Sequence, residues 1–527
     1  MDKNYIDVNH SSIVIHNYNL GDCKYLEKLF SIWDPVTFSL FYKGIYYDEE
    51  KRDLYLPRGI DVGWLENKFP HYIIRTNTNA DPYDSIDQIR IKYLPRDEKQ
   101  EEALKFLIGI DQYRNNKFRS QLSLNLNTGV GKTYCCITAV SYLRVRPIMI
   151  TYSVNWVEQW RKFVLEYTDI QPDEIYVING TPSIKSLLNK DMSKYKFILA
   201  THGTLRSYGD TYGWDKVHEL FKYMRCGLKI FDECHLNLDN MYMIDFHSNT
   251  RQTFYVTATP LRSDEQENKI FQYYFKNVPN IDLFDEETDK RTAYIAIRYN
   301  SNPTPKDISM CKNKYGLNRS KYVDYVVTKE NFYAILRMIL NIVIKGNKKT
   351  LFFIGTNHAI DVVYNWIVQN YPEIANEVGI YNSTISENKK DQLNKKFILS
   401  TTKSCGAAQD IKGLQVVVVL AEPFKSEILA RQTLGRCRDK NTTYIEVVDE
   451  GFIYTRKYYY AKQKIFAKYA TECTEIKFSK EELANKLNME SAPPPIKLNG
   501  PKPGIIRYRE YKAKPNSGLI YYEEIID

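Results

Sequence analysis

The fifteen residues LSLNLNTGVGKTYCC, from Leu122 to Cys136, decide how the rest of the sequence is interpreted. They begin with apolar residues in the alternation typical of a strand, pass through a loop with two glycines, and become helical at Lys132 and Thr133. In such a loop the backbone N–H groups can curl around phosphates, and the helix N-terminus adds partial positive charge. The stretch therefore predicts a phosphate-binding loop, in which Lys132 reaches the β- and γ-phosphates and the Thr133 hydroxyl binds Mg²⁺.

This loop departs from the strict G-x-x-x-x-G-K-[ST] pattern at one position, because Leu126 replaces the first glycine. The core TGVGKT remains in a strand–loop–helix context. It supplies the candidate nucleotide-binding residues Thr128, Gly129, Val130, Gly131, Lys132 and Thr133. An ordinary glycine turn is the alternative that this stretch alone leaves open.

Apolar strand-like runs, separated by stretches long enough to hold helices, occur in two series along the chain. The first series is LSLNL, PIMIT, KFILAT, LKIFD and TFYVTAT, and the second is TLFFIG, VGIYN, KFILSTT, QVVVVLA and TYIEVVD. This alternation is typical of a parallel sheet with helices on both faces. We therefore predict an α/β fold with two parallel-sheet domains in tandem.

Shorter segments flank these two domains. Residues 1–88 are predicted to form a small α/β module, with a hairpin that turns at Asp48–Arg52. We assign residues 89–281 and 282–470 to the two parallel-sheet domains, and residues 471–527 to a basic C-terminal helix and a Pro/Gly-rich, extended tail. A Tyr- and Lys-rich helix is expected from about Thr455 to Asn488.

A second candidate site is LKIFDECH, about a hundred residues after the loop. Its apolar strand delivers Asp232 and Glu233 to the carboxyl end, where ligands bind in open parallel sheets. One carboxylate is needed to hold a metal ion and its water, and the next to orient or deprotonate an attacking water. Two acids at a strand end are also typical of a solvated turn, but the phosphate loop upstream favours the functional interpretation.

Composition constrains the partners and the compartment. The net charge is +9, and residues 455–527 contain 14 Lys and Arg against 9 Asp and Glu. A basic segment rich in Tyr suits a polyanion, and a solvated surface helix explains it equally well. The nine cysteines include no C-x-x-C pair, which supports neither a zinc site nor a disulfide framework, and the N-terminus has no apolar signal core. We expect a soluble cytoplasmic protein (in the host cytoplasm if viral) that is monomeric or weakly oligomeric.

Four stretches in this order, TGVGKT, DECH, TATP and QTLGRCRDK, resemble motifs of superfamily 2 helicases and translocases. The resemblance runs from about Leu94 to Asp449 and implies two RecA-like domains that use ATP and Mg²⁺. The catalytic residues that it implies are Lys132, Asp232, Glu233, Gln432, Arg436 and Arg438, with Mg²⁺ held by Thr133, Asp232 and Glu233. Beyond the loop, it implies nucleotide contacts at Gln100 (the expected adenine reader), His235, Gly406 and Asp410. The implied nucleic-acid contacts are Ser153, Gln159, Thr201, Thr204, Arg262, Thr356 and Thr401.

The segment QTLGRCRDK differs in one respect from the family pattern Q-x-x-G-R-x-x-R. Gln432, Gly435 and Arg436 occupy family positions, but Arg438 follows the glutamine by six residues instead of seven. On a helix, one residue turns a side chain by about 100°. The γ-phosphate would therefore be contacted either by Arg438 after a local backbone shift, or by Arg436 with Lys440 or another group assisting.

His235 and the TATPLR form are similar to the DNA branch of the superfamily, which includes phage UvsW-type, RecG and XPB helicases. A small module ahead of the motor resembles the UvsW-type layout, where it grips duplex DNA. Arg58 is the candidate contact, and a hairpin core with an exposed arginine is the alternative. The resemblance implies an ATP-dependent DNA helicase or translocase that remodels branched or forked DNA in recombination, repair or replication. The alternatives are an RNA helicase or viral transcript-release ATPase of the same superfamily, a restriction-type translocase subunit, and a nucleic-acid-binding protein with a degenerate motor.

Overall fold

The computed structural model describes residues 4–34, 39–41, 44–77, 79–126, 131–234, 238–257, 265–283, 292–313, 316–382, 389–405, 411–425, 427–434, 436, 442–479 and 482. The described residues up to 283 belong to one unit and those from 292 onward to a second. Each unit contains a seven-stranded sheet in which all strands are parallel. The predicted α/β fold with two tandem parallel-sheet domains is confirmed.

The first unit begins with a separate five-stranded sheet. The strands of this part of the chain are β1 Tyr5–Val8, β2 Ser12–His16, β3 Ile32–Asp34, β4 Ser39–Phe41, β5 Tyr46–Asp48, β6 Asp53–Pro57 and β7 Ile73–Thr76, and its helices are α1 Leu20–Phe30 and α2 Val62–Lys68. The sheet order is β5-β6-β2-β1-β7, with β7 parallel to β1 and the other pairs antiparallel, while β3 and β4 pair only with each other. The predicted hairpin is the β5–β6 pair. We call β1, β2, β5, β6 and β7 the N-terminal sheet.

The first parallel sheet follows. Its strands are β8 Gln121–Asn125, β9 Pro147–Thr151, β10 Ile175–Ile178, β11 Phe197–Thr201, β12 Leu228–Asp232, β13 Gln252–Thr257 and β14 Asn280–Asp282. The helices are α3 Glu98–Ile108, α4 Lys132–Leu143, α5 Val154–Tyr167, α6 Gly180–Leu187, α7 His202–Tyr212, α8 Trp214–Met224, α9 Leu238–Phe246 and α10 Glu265–Phe275, with 3₁₀ turns at Asp111–Phe118, Pro172–Glu174 and Met192–Lys194. Every residue of β8, β9 and β11 is buried. Helices cover both faces of such a sheet, which is why its strands are continuous apolar runs.

The second unit has its own strands and helices. Its strands are β15 Thr292–Tyr299, β16 Lys312–Asn313, β17 Gly316–Leu317, β18 Thr350–Ile354, β19 Val378–Tyr381, β20 Phe397–Ser400, β21 Val416–Ala421, β22 Thr442–Asp449 and β23 Glu472–Lys477. The helices are α11 Pro305–Met310, α12 Arg319–Val326, α13 Glu330–Lys345, α14 Asn357–Asn370, α15 Lys389–Asn394, α16 Thr402–Cys405, α17 Glu427–Leu434 and α18 Ile453–Tyr469, with a 3₁₀ turn at Pro372–Glu377. Strands β16 and β17 form a hairpin outside the sheet.

The two parallel sheets share one topology. Their orders are β10-β11-β9-β12-β13-β8-β14 and β19-β20-β18-β21-β22-β15-β23. If the positions in each order are numbered from one to seven, the first strand along the chain (β8 or β15) takes position six. The following strands of each sheet take positions three, one, two, four, five and seven. The last strand of each series therefore lies beside the first.

This topology corrects one expectation from the sequence. The helix predicted from about Thr455 to Asn488 ends at Tyr469, and Glu472–Lys477 is the strand β23. This strand pairs in parallel with β15, whose backbone groups on that side would otherwise form an open sheet edge. The remaining tail, apart from residue 482, lies outside the described residues.

The N-terminal sheet and the first parallel sheet share a hydrophobic core. Leu54 and Leu56 of β6 belong to the same buried cluster as Met241 and Ile244 of α9 and Tyr274 of α10. The Tyr274 hydroxyl donates to the Gly44 carbonyl at 3.0 Å, and the backbone N–H of Asn277 donates to the Gly59 carbonyl at 3.2 Å. The N-terminal sheet is therefore an integral part of the first unit, and its removal would expose apolar surface of α9 and α10.

A buried ion pair lies beneath this shared core. Lys229 of β12 and Asp245 of α9 are both inaccessible to solvent, and their charged atoms are 2.5 Å apart. Lys229 also donates to the Ser248 hydroxyl at 2.5 Å and to the hydroxyl of Ser11, the residue before β2, at 3.4 Å. The Tyr255 hydroxyl donates to Asp245 Oδ2 at 2.6 Å. Burial lowers the pKa of Lys229 and raises that of Asp245, so each charge depends on the other.

We expect Lys229→Met to lower the free energy of unfolding of the first unit by about 3–5 kcal/mol, because it leaves a buried carboxylate without its cation. The additional change Asp245→Asn should recover part of the loss. Lys51→Met is the matched control, because the exposed Lys51–Asp215 pair (2.7 Å) also joins the N-terminal sheet to the rest of the unit. An exposed pair contributes about 1 kcal/mol or less. Urea unfolding followed by tryptophan fluorescence measures all three, and equal stability of Lys229→Met and the wild type would contradict the prediction.

Candidate nucleotide-binding site

The candidate phosphate loop connects β8 to α4. Its residues 127–130, which include Thr128, Gly129 and Val130, lie outside the described residues. Gly131 is the N-cap of α4 with φ of 106°, a conformation that favours glycine. Lys132 and Thr133 are the first two residues of the helix, where the free backbone N–H groups of its N-terminus lie. The strand before the loop and the helix after it are therefore those that the sequence predicts.

Lys132 reaches from α4 to the end of β12. Its side chain is only 9% exposed, and Nζ donates to the Leu126 carbonyl at 3.1 Å. Nζ is also 3.6 Å from Oε1 of Glu233. A buried ammonium held by one carbonyl and one carboxylate can exchange these partners for phosphate oxygens, which carry more negative charge.

Gln100 lies against the same loop, although its predicted role rested on a loose spacing. It is buried in the first turn of α3, whose N-cap Asp97 accepts from the Gln100 backbone N–H at 3.0 Å. Its Oε1 accepts from the backbone N–H of Arg96 at 2.8 Å. A Cβ placed on Gly131 would overlap the Gln100 amide nitrogen, so the two residues are in contact. The amide thus lies beside Gly131, and the role of Gln100 as an adenine reader stays a prediction.

Asp232 ends strand β12, and Glu233 follows it beside Lys132. Burial and the neighbouring Glu233 carboxylate raise the pKa of Asp232 to about 6, although the Trp160 hydrogen bond and the Lys132 charge act in the opposite direction. The Asp232 Oδ2 atom accepts from the indole N–H of Trp160 at 2.7 Å. Glu233 has φ of 48°, a left-handed conformation that is uncommon outside glycine and recurs at functional sites. His235 lies outside the described residues.

The donor set at this edge fits Mg²⁺. Thr133 offers a hydroxyl, and Asp232 and Glu233 offer carboxylates, which are the hard oxygen ligands that Mg²⁺ prefers. Within the part of the chain that the structure describes, no group of three or more His, Cys, Asp or Glu could hold a metal ion by itself. Mg²⁺ suits such a site because it keeps several waters and takes phosphate oxygens as ligands.

Three of the predicted nucleic-acid residues of the first unit, Ser153, Thr201 and Thr204, lie at the starts of two helices. Ser153 is the N-cap of α5, and Thr201 is the N-cap of α7. Strands β9 and β11, which precede these helices, are neighbours in the sheet, so both helices start at the same edge. The Thr201 hydroxyl accepts from the backbone N–H of Thr204 and donates to the Thr204 hydroxyl at 2.9 Å. Gln159 lies in the second turn of α5 and is partly exposed, while Arg262 lies outside the described residues.

In the second unit, Thr356 and Thr401 follow neighbouring strands in the same way. Thr356 is the N-cap of α14 after β18, and the Thr401 hydroxyl after β20 accepts from the backbone N–H of Ser404. Arg436 is buried. Burial raises the pKa of the Cys405 thiol to about 12, and the charge of the Arg436 guanidinium acts against this rise. Gly406, Asp410 and Arg438 lie outside the described residues. Gln432 lies on α17, but its side chain is not described.

Two findings were not available from the sequence. Trp160 contacts Asp232, and nothing in the spacing of the motifs pairs these residues. Arg58, predicted on a DNA-gripping surface, is only partly exposed. Its Nε is buried and has no hydrogen-bond partner among the described residues, and burial and the nearby Arg119 charge lower its pKa. The DNA contact at Arg58 stays a prediction.

Comparison with known proteins places this site in a family context. Residues 93–262 match the family model described as "Type III restriction enzyme, res subunit". A Rad25 protein of Haloarcula marismortui, named as a DNA 3′–5′ helicase, is 25% identical over 143 residues, which are 27% of this chain and 20% of that protein. The XPB helicase/translocase subunit of the general transcription and DNA repair factor IIH of Enterocytozoon bieneusi is 29% identical over 174 residues, which are 32% of this chain and 27% of that protein. The part of the chain that contains the candidate ATP site is therefore similar to the corresponding part of helicase and restriction-enzyme proteins.

The fold comparison extends the similarity beyond the first unit. A fragment of a protein named as the HsdR subunit of a type I restriction enzyme from Vibrio vulnificus matches 75% of this chain and 70% of its own length. The sequence identity is 14% and the TM-score is 0.50, so the match concerns the fold, which is the tandem RecA-like arrangement. The chain spans about a fifth and about a quarter of the lengths of the two curated relatives. Among the described residues of the motor, no helix is long and apolar enough to cross a membrane.

We expect Gly131→Ala to abolish nucleotide binding by the motor. The new Cβ would collide with the Gln100 amide, and alanine rarely adopts a φ of 106°. Titration with a fluorescent ATP analogue measures the affinity. Gly63→Ala is the control, because its Cβ would make only ordinary contact with the Asp61 side chain. Wild-type affinity in Gly131→Ala would show that the loop does not bind phosphates in this conformation.

Proposed function

We propose that this chain is an ATP-driven motor that moves along DNA and remodels branched or forked DNA. The observation that carries the proposal is that Lys132, Asp232 and Glu233 lie close together at one edge of the first parallel sheet. These residues come from stretches about a hundred residues apart, yet Lys132 Nζ is 3.6 Å from the Glu233 carboxylate. Such a constellation holds a nucleoside triphosphate and the water that attacks it.

Each residue has a separate task in hydrolysis. Lys132 binds the β- and γ-phosphates, and these take the place of its contacts with Leu126 and Glu233. Thr133, Asp232 and Glu233 would hold Mg²⁺, which would neutralise charge on the phosphate oxygens. Once Lys132 has turned to the phosphates, the Glu233 carboxylate orients the attacking water and accepts its proton. Gln100, in contact with Gly131, reads the adenine.

The resemblance to superfamily 2 helicases also implies an arginine that adds positive charge at the γ-phosphate. The transition state of phosphoryl transfer is loose, so it is stabilised chiefly by charge that is already in place. Arg436 or Arg438 provides this charge, and losing such an arginine costs about 10³-fold or more in rate. Gln432, Gly406 and Asp410 belong to the same part of the proposal.

In each unit, the N-termini of helices at the sheet edge support the proposal that the phosphate backbone of a nucleic acid binds there. Helices α5, α7 and α14 each start at the carboxyl end of a strand, with free N–H groups that favour an anion. The helices α5 and α7 start side by side at one edge of the first sheet. Contacts of this kind go to phosphates, so binding should be largely independent of sequence and should weaken as salt rises.

DNA is the proposed track because of the names of the relatives. The Rad25 and XPB proteins are named for a DNA helicase and a DNA repair factor, and the matching family model is that of a restriction enzyme subunit. The preference for branched or forked DNA rests on the resemblance to UvsW-type helicases. The N-terminal sheet, rigidly joined to the first unit through the shared core, is the proposed duplex-gripping element.

Nucleic-acid-stimulated ATPase activity tests the proposal. We expect basal hydrolysis by the wild type that rises with single-stranded and forked DNA, because phosphate contacts and the ATP site share one sheet edge. Phosphate release should be measured without nucleic acid and with single-stranded DNA, forked DNA and RNA. Stimulation by RNA alone would replace DNA with RNA as the track, and no hydrolysis under any condition would contradict the motor.

Variants in the same assay assign the individual residues. Lys132→Ala should lose nucleotide binding together with hydrolysis, whereas Glu233→Gln should keep binding and lose hydrolysis. Arg436→Ala and Arg438→Ala decide which arginine contacts the γ-phosphate. Near-normal hydrolysis by Arg438→Ala would leave that role to Arg436.

A further inference from the structure

The carboxylate of Asp232 is held by a helix that lies outside the phosphate loop and the DECH segment. The indole nitrogen of Trp160 on α5 donates to Asp232 Oδ2 at 2.7 Å. We propose that Trp160 is a positioning residue that orients Asp232 for Mg²⁺ and through which α5 links nucleic-acid contact to hydrolysis. This inference rests on the proposed function, since it concerns the same ATP site.

The indole is fixed firmly enough to act in this way. Trp160 is 2% exposed and packs in one cluster with Val157 and Val164, its neighbours on the same face of α5. A carboxylate turns easily about its last bond, because such terminal torsions are broad. A fixed N–H bound to Oδ2 selects one orientation of the carboxylate, in which Oδ1 would be the atom that helps to hold Mg²⁺. Partners of this kind, one shell beyond the metal, set the geometry of the ligands.

The same helix carries a predicted nucleic-acid contact. Ser153 caps the start of α5 at the sheet edge, and Trp160 lies seven residues further along. At 1.5 Å per residue, about 10 Å of continuous helix separates the two positions. The strand that leads into α5 also pairs with the strand that ends at Asp232, with Ile150 opposite Phe231. Because the helix is continuous, a shift of α5 on phosphate binding at its N-terminus would also displace the indole that contacts Asp232.

Trp160→Phe separates this role from simple core packing. Phenylalanine keeps a large buried ring and removes the N–H donor, so a residue that only fills the core would leave the metal dependence unchanged. Trp366→Phe is the matched control, because it replaces a fully buried indole in the second unit with the same smaller ring. The readout is the Mg²⁺ concentration that gives half of the Mg²⁺-dependent gain in affinity for a fluorescent ADP analogue.

We expect Trp160→Phe to need about 10- to 100-fold more Mg²⁺, with unchanged affinity for the analogue in the absence of Mg²⁺. In an Asp232→Asn background the same substitution should have no further effect. In the ATPase assay, stimulation by single-stranded DNA should fall more than basal hydrolysis at saturating Mg²⁺. Unchanged Mg²⁺ dependence, or an equal effect in the Asp232→Asn background, would overturn the inference.

The binding readout keeps this inference separate from the proposed function. If the wild type binds Mg²⁺ and nucleotide but hydrolyses nothing, the motor fails and the Trp160 contact is still tested. If Trp160→Phe does not fold, ¹⁵N NMR of the wild type provides the test. One of the six indole N–H signals should shift when Mg²⁺ is added to the ADP-bound protein, and no shift would overturn the inference.

Discussion

The common direction of the strands in each parallel sheet is the constraint on which the proposed function depends. Because all strands point the same way, they end at one edge, and the helices that follow them start there. In the first sheet, this brings Lys132 of α4, Asp232 of β12 and Thr201 before α7 to the same edge. An ATP site and a track for phosphates can therefore lie side by side without long loops. The second sheet repeats the topology and places Thr356 and Thr401 in the same relation to its own strands.

The N-terminal sheet adds a second constraint, because it packs on the face of the first parallel sheet opposite to the one that Trp160 covers. Its strands share a core with α9 and α10, and Ser11 contacts the buried Lys229 on β12. Strand β12 ends in Asp232, so the strand that carries this proposed metal ligand contacts both the buried Lys229 network and Trp160 on α5.

Much of this arrangement is predictable from the sequence, for physical reasons that also explain the misses. Runs such as PIMIT and FILAT are buried on both faces, so they identify β9 and β11 from composition alone. Strand β23 was missed because ECTEIK is exposed along its whole length and gains its structure only from pairing with β15. Gln100 was found from motif resemblance, but its contact with Gly131 depends on how α3 packs. The Trp160–Asp232 hydrogen bond joins residues that are 72 positions apart, and neither their residue types nor their spacing predicts it. The partial burial of Arg58 likewise results from the docking of the N-terminal sheet.

Displacement of the third strand from a DNA triplex requires ATP-driven movement along DNA and not hydrolysis alone. The wild type should release the third strand in the presence of ATP and Mg²⁺, and Glu233→Gln should bind the same DNA without releasing it. Hydrolysis stimulated by DNA without any release of the third strand would contradict the claim that this chain is a DNA motor.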